Sequence, residues 1–238
     1  MTIVTPSNWL ANYVKQSFLG EYPVKVIHNG IDLEVFRNRK SNFREKHGIR
    51  EDQFVVLGVS AYWVYQKGTD VFKELSRRLE QGQYSIVIVG GDGEDMGDHI
   101  ISIARVDDPI ELAEIYSAAD VFINPTREEN YPTANMEAIA CGIPVVTFDT
   151  GGCAEIIDEM TGVAVPVDDV DAMEREIRRI HTDRPYSCDI CMERAKRFEM
   201  HTQMKNYIDI YEELSRSIKA MDIFDTQNYS SSQVMNIA

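Results

Sequence analysis

The stretch Val121-Phe122-Ile123-Asn124-Pro125-Thr126-Arg127-Glu128-Glu129-Asn130-Tyr131-Pro132-Thr133-Ala134-Asn135-Met136-Glu137-Ala138-Ile139-Ala140-Cys141-Gly142-Ile143-Pro144-Val145-Val146-Thr147-Phe148 decides the fold. Its apolar start, 121–123, suits a buried strand that Pro125 ends. Pro132 has the fixed φ that suits the first position of a helix, where no backbone donor is needed. Residues 133–140 are good helix material, Cys141-Gly142 stops them, and 143–148 form the next strand. The stretch is one strand, a polar elbow, a helix and a second strand.

Outward from it the same alternation continues. Residues 54–59, 84–89, 100–103 and 163–165 read as strands. Helices are expected over 68–80, with Val71, Phe72, Leu75 and Leu79 on one face, and over 109–118, 169–181, 189–199 and 201–220. Strands alternating with helices of this length predict an α/β fold with a doubly wound, Rossmann-like parallel sheet. Ligands then bind beyond the carboxyl ends of the strands. Lys67, the glycine turn 90–93, Arg105 and Glu129 all fall at such ends. Residues 37–50 read as a charged surface connector. The tail, 221–238, is polar and rich in Ser, Asn and Gln, and is expected to be disordered.

Composition narrows the partners. The net charge is −15, from 24 basic and 39 acidic residues. That argues against nucleic acid and against a polybasic membrane anchor, and it means that an anionic ligand must be held by local positive features. No apolar run approaches the ~20 residues needed to span a bilayer. The start lacks the pattern of a signal peptide. Four cysteines without a secretory signal favour a reducing cytoplasm. Cys188-x-x-Cys191, with His181 and His201 nearby, fits no standard zinc finger and reads as two thiols on a helix face; no metal is expected.

The elbow carries the chemistry. Glu129 lies on the loop and Glu137 just over one turn into the helix. Between them the first amides of the helix have no internal partners, and such an end favours a phosphate. A carboxylate is instead a good acceptor for sugar hydroxyls. Amides for phosphate flanked by carboxylates for hydroxyls describe a nucleotide-sugar site. A helix with acidic charge near its start explains either glutamate alone, but not this loop between two strands.

The spacing Glu129-x7-Glu137, followed by Ala-x-Ala-x-Gly-x-Pro-Val-Val and a Thr-Gly-Gly-x-x-Glu turn, resembles the donor site of GT-B glycosyltransferases of the retaining group 1 (GT4-like) class. Pro6-Ser7-Asn8-Trp9-Leu10 and Ile27-His28-Asn29-Gly30-Ile31-Asp32 with Phe36 resemble that family's passage from its N-terminal to its C-terminal domain. The resemblance implies the C-terminal half of a GT-B fold. Residues 1–36 are then a remnant of the acceptor-binding domain and the linker, 37–200 the donor-binding domain, and 201–220 a C-terminal crossover helix.

The resemblance also implies roles. Lys67, in a Lys-Gly pair, would bind the donor diphosphate, and with Glu129 it forms the catalytic pair. Glu137 would bind the ribose hydroxyls, and Glu129 the hydroxyls of the transferred sugar. Asn130, Tyr131, Pro132 and Thr133 would offer backbone donors. The family's second diphosphate cation, five residues before the lysine, is Tyr62 here; Arg105 is the candidate replacement, or a stack for the base, against a rim pairing with Asp107 or Asp108. Tyr62, Trp63 and Tyr65 wall the pocket or simply pack. Glu155 reads as a helix N-terminal charge.

The implied reaction is retaining transfer from a nucleotide diphosphate sugar without metal or cofactor, to a glycan or lipid-linked acceptor in polysaccharide biosynthesis. The missing N-terminal domain would be supplied in cis or trans, and peripheral membrane association is open to such a protein. The competing readings are a non-catalytic nucleotide-sugar-binding module or truncated remnant, and a sugar-nucleotide epimerase of the same architecture.

Overall fold

The computed structural model describes the backbone of residues 1–93 and 96–233, with side chains up to Arg216. The chain opens with strand β1 (Ile3–Thr5), helix α1 (Asn8–Gln16) and strand β2 (Val24–Val26). The two strands pair in parallel, Ile3 opposite Val24. The Ser7 hydroxyl caps α1 by accepting from the Leu10 amide at 3.1 Å. Helix α2 (Phe43–Lys46) follows, and the segment around it buries Phe43 and Ile49. The expected surface connector is therefore pinned into the core.

Next come β3 (Phe54–Val59), a 3-10 turn (Tyr65–Lys67), α3 (Thr69–Arg78), β4 (Tyr84–Val89), β5 (Ile100–Ile103), α4 (Pro109–Ala118), β6 (Val121–Asn124) and α5 (Thr133–Ala140). They lead into β7 (Val145–Phe148), α6 (Cys153–Ile156), β8 (Gly162–Val165), α7 (Val170–Asp183), α8 (Cys188–Ala195) and α9 (Met200–Gln233). Strands β3 to β8 form one parallel sheet in the order β5-β4-β3-β6-β7-β8. The chain winds outward from β3 to β5, then crosses back to β6 and winds the other way. The sheet is thus the expected doubly wound α/β arrangement, with its switch point between β3 and β6.

The central strands read as unbroken apolar runs because helices cover both faces. Val55 and Leu57 pack into a layer with Tyr116, Phe122, Met136 and Ile139. Phe54 and Val56 point the other way, into Phe72, Leu75, Met173 and Ile177.

The opening segment is fastened to the far half of the sheet. Glu155, in the first turn of α6, accepts from the backbone amides of Asn8 at 2.9 Å and Trp9 at 2.8 Å. It is indeed a helix N-terminal charge, but the helix it serves is mainly α1, nearly 150 residues away in sequence.

The C-terminal helix corrects an expectation. A helix over 201–220 and a disordered tail over 221–238 give way to continuous helix from Met200 to Gln233; residues 234–238 lie outside the described residues. No glycine or proline occurs from residue 200 onward, so the backbone chemistry contains no stop. Polar composition alone does not end a helix.

Candidate functional site

At the switch point the loops after β3 and β6 part and leave a cavity of about 330 Å³. Lys67, Glu129, Tyr131, Pro132 and Thr133 line it, with Tyr62 and Trp63 as a side wall. Gly68 ends the 3-10 turn at φ +77 and precedes α3. A Cβ at this position would lie 2.4 Å from Pro125 Cγ and 2.5 Å from its carbonyl oxygen. Only glycine allows this approach, and it lays the lysine turn directly on the exit of β6.

That approach brings the two residues of the expected catalytic pair together. Lys67 Nζ lies 2.9 Å from Glu129 Oε2, with the side chains 23% and 25% exposed. The other oxygen, Glu129 Oε1, accepts from the Asn130 amide at 3.0 Å. The site in this state is a partly shielded ion pair at the N-terminus of α5.

Other expected residues are placed differently. The Asn130 side chain turns away from the cavity, and its Oδ1 accepts from the Ser7 hydroxyl at 2.7 Å. Its amide is taken by Glu129, so it offers neither group to a ligand. The Tyr131 ring is buried and stacks on His28, centroids 4.7 Å apart and 10° from parallel. Burial raises the pKa of its phenol, whose oxygen has no hydrogen-bond partner among the described residues. Pro132 has no N–H and contributes wall only. Thr133, the first residue of α5, keeps the expected place for a backbone donor.

Arg105 stays off the cavity. It is 69% exposed and donates from Nε to Asp107 at 2.8 Å. The carboxylate two residues away holds the guanidinium at the sheet edge. The rim pairing is the outcome.

Glu137 faces α4 rather than the cavity, and its Oε2 accepts from the Tyr116 hydroxyl at 3.0 Å. Burial raises its pKa, and hydrogen bonds from Tyr116 and Thr133 only partly offset this. The folded protein therefore holds this proton more tightly than the unfolded chain. The stabilising effect is full below the ordinary glutamate value of 4.5 and is lost as pH rises through the raised folded value. Glu137→Gln is expected to flatten the melting temperature against pH from 4.5 upward. Parallel slopes for variant and wild type would refute it.

Asn124, at the end of β6, also lines the cavity, beyond the part in shaping the strand exit that its sequence position gives it. Its Nδ2 donates to Asn135 Oδ1 at 2.8 Å, fixing the strand end to the first turn of α5. The available signal was its position as the last residue of a strand at the switch point.

With this geometry in view, the relatives are consistent. The model of the family "Glycosyl transferases group 1" matches residues 53–183, and the chain belongs to that family. An uncharacterized glycosyltransferase of Methanocaldococcus jannaschii is 30% identical over 199 residues, covering 76% of this chain and 51% of its own length. Sucrose-phosphate synthase of Thermosynechococcus elongatus superposes with a TM-score of 0.80 at 23% identity, over 91% of this chain and 59% of that one. Anabaena HepE, solved with UDP-glucose, superposes with a TM-score of 0.76 at 18% identity, over 89% of this chain and 64% of that one. The fold is thus that of GT-B glycosyltransferase structures. The chain spans about half the length of the first curated relatives it matches.

Proposed function

We propose that this chain is the donor-binding half of a glycosyltransferase that transfers a sugar from a nucleotide diphosphate sugar. The observation that carries the reading is the Lys67–Glu129 pair, 2.9 Å apart at the N-terminus of α5. Lys67 and the first α5 amides supply positive charge for a diphosphate, and Glu129 supplies an acceptor for sugar hydroxyls. The charge that builds on the leaving diphosphate is met by a fixed cation and fixed dipoles, with no cofactor. Glu129 positions the sugar, and the acceptor attacks from the face the diphosphate leaves, with retention. A ribose contact through Glu137 Oε2 requires the hydrogen bond from Tyr116 to be exchanged for one from the ligand.

Two features support a partner half in cis or trans. The chain covers about half of the curated relatives' length. Aromatic and aliphatic side chains stand exposed on and beside α1 and along the start of α9, including Tyr13, Phe18, Met204, Ile208 and Tyr211. The acceptor is a glycan or a lipid-linked glycan, and the cytoplasm is the compartment.

The deciding experiment is a thermal-shift panel of UDP-, GDP-, ADP- and dTDP-sugars. At a hundredfold excess over Kd, the matching donor is expected to raise the melting temperature by about 5 °C or more. No shift with any of them would overturn the reading. A transfer assay with added acceptor half then separates an enzyme from a binding module.

A further inference from the structure

We propose that Arg127 is a positioning residue that sets Lys67 against Glu129. The inference rests on the nucleotide-sugar reading of the cavity. Arg127 sits two residues before Glu129 on the loop after β6, yet its side chain is only 12% exposed and does not line the cavity. Its guanidinium gathers three separate parts of the fold. It forms a two-pronged pair with Asp70 in the first turn of α3, at 2.9 and 2.8 Å. It donates from Nε to Asp168, between β8 and α7, at 2.7 Å. It also donates to the carbonyl of Tyr65 and lies 3.8 Å over that residue's ring.

Tyr65 opens the turn that ends in Lys67. The backbone adds to the hold: the Arg127 amide donates to the Gln66 carbonyl at 2.8 Å. Side chain and main chain of one residue thus bind both residues immediately before the lysine. The charge of Arg127 is consumed by two carboxylates, so it cannot serve as a second diphosphate cation. What it fixes is the path of the turn. Lys67 has four rotatable side-chain bonds and would otherwise lose its aim when the turn shifts. Because Arg127 and Glu129 share one loop, the contact sets the cation and the carboxylate in one frame.

A positioning role predicts coupling. In the full chain, Arg127→Ala is expected to weaken UDP binding about tenfold, but less than about twofold in a Lys67→Ala background. Equal losses in both backgrounds, or none in either, would overturn the proposal. Trace acetylation read by mass spectrometry gives a measure that needs no nucleotide. Lys67 should be modified faster in Arg127→Ala than in wild type, approaching its rate in Glu129→Gln; an unchanged rate overturns the proposal. Should the alanine variant fail to fold, Arg127→Lys keeps the charge but loses the fork and the ring contact, and should give intermediate labelling; wild-type labelling there is again against it. If Lys67→Ala leaves UDP binding untouched, the nucleotide reading of the cavity fails, and the labelling still decides Arg127.

Discussion

Replacing Lys67 by alanine is expected to weaken binding of the matching nucleoside diphosphate by about 30- to 160-fold, the effect of losing one charge-assisted contact of ~2–3 kcal/mol. Two losses act together. The diphosphate loses the cation of the cavity wall, and Glu129, deprived of the Nζ that stands 2.9 Å away, turns an uncompensated carboxylate toward an anion. Both side chains are three-quarters shielded, so solvent screens the repulsion only in part. The double variant Lys67→Ala/Glu129→Ala should therefore bind the free nucleoside diphosphate better than Lys67→Ala alone. Titration calorimetry checks both statements. Binding by Lys67→Ala within threefold of wild type would remove the lysine from the site.

The second large effect is expected at Gly151. It has φ +56, and a Cβ there would lie 1.8 Å from the carbonyl oxygen of Glu129. Alanine pays about 1–2 kcal/mol for the left-handed backbone alone. Relieving the clash then means moving the backbone of Glu129 itself, for a total of about 3 kcal/mol. Gly151→Ala should show a lower urea midpoint and weaker nucleotide binding in the fraction that folds. Gly82→Ala is the control, since nothing lies within 4 Å of its added Cβ. A Gly151 variant as stable as the Gly82 variant would show that the elbow and the β7–α6 turn are not in contact in solution.

The sheet was legible because its signal is local. The runs at 54–59 and 84–89 are apolar but for Gly58 and Ser85, and both became inner strands with those limits. The elbow was legible for a different reason: spacing and flanking elements together matched a family pattern. What escaped the sequence depends on side chains meeting across long separations. Asn130 is claimed by Ser7, 123 residues away, and Arg127 by Asp70, 57 residues away. Nothing in the chain near Asn130 or Arg127 announces either contact. Arg105 failed in the opposite sense, since the partner that removed it from the site lay two residues along. Glu137 was read correctly as a helix residue, but its direction depends on Tyr116, which belongs to another helix.

The Lys67–Glu129 contact also bears on what an empty site ignores. A lone cation in an open cleft would collect inorganic phosphate and any abundant nucleotide, and each turnover would begin with an eviction. With the carboxylate as its resting partner, the lysine is masked. A simple anion frees the cation's counter-charge and gives that carboxylate nothing in return. On the proposed reading, a sugar nucleotide brings phosphate oxygens for one partner and hydroxyls for the other, and so replaces both halves of the contact. Once the sugar has gone, the spent nucleotide answers only the lysine. On the proposed reading, the same ion pair that competes with stray anions also competes with the spent nucleotide, and so favours its release.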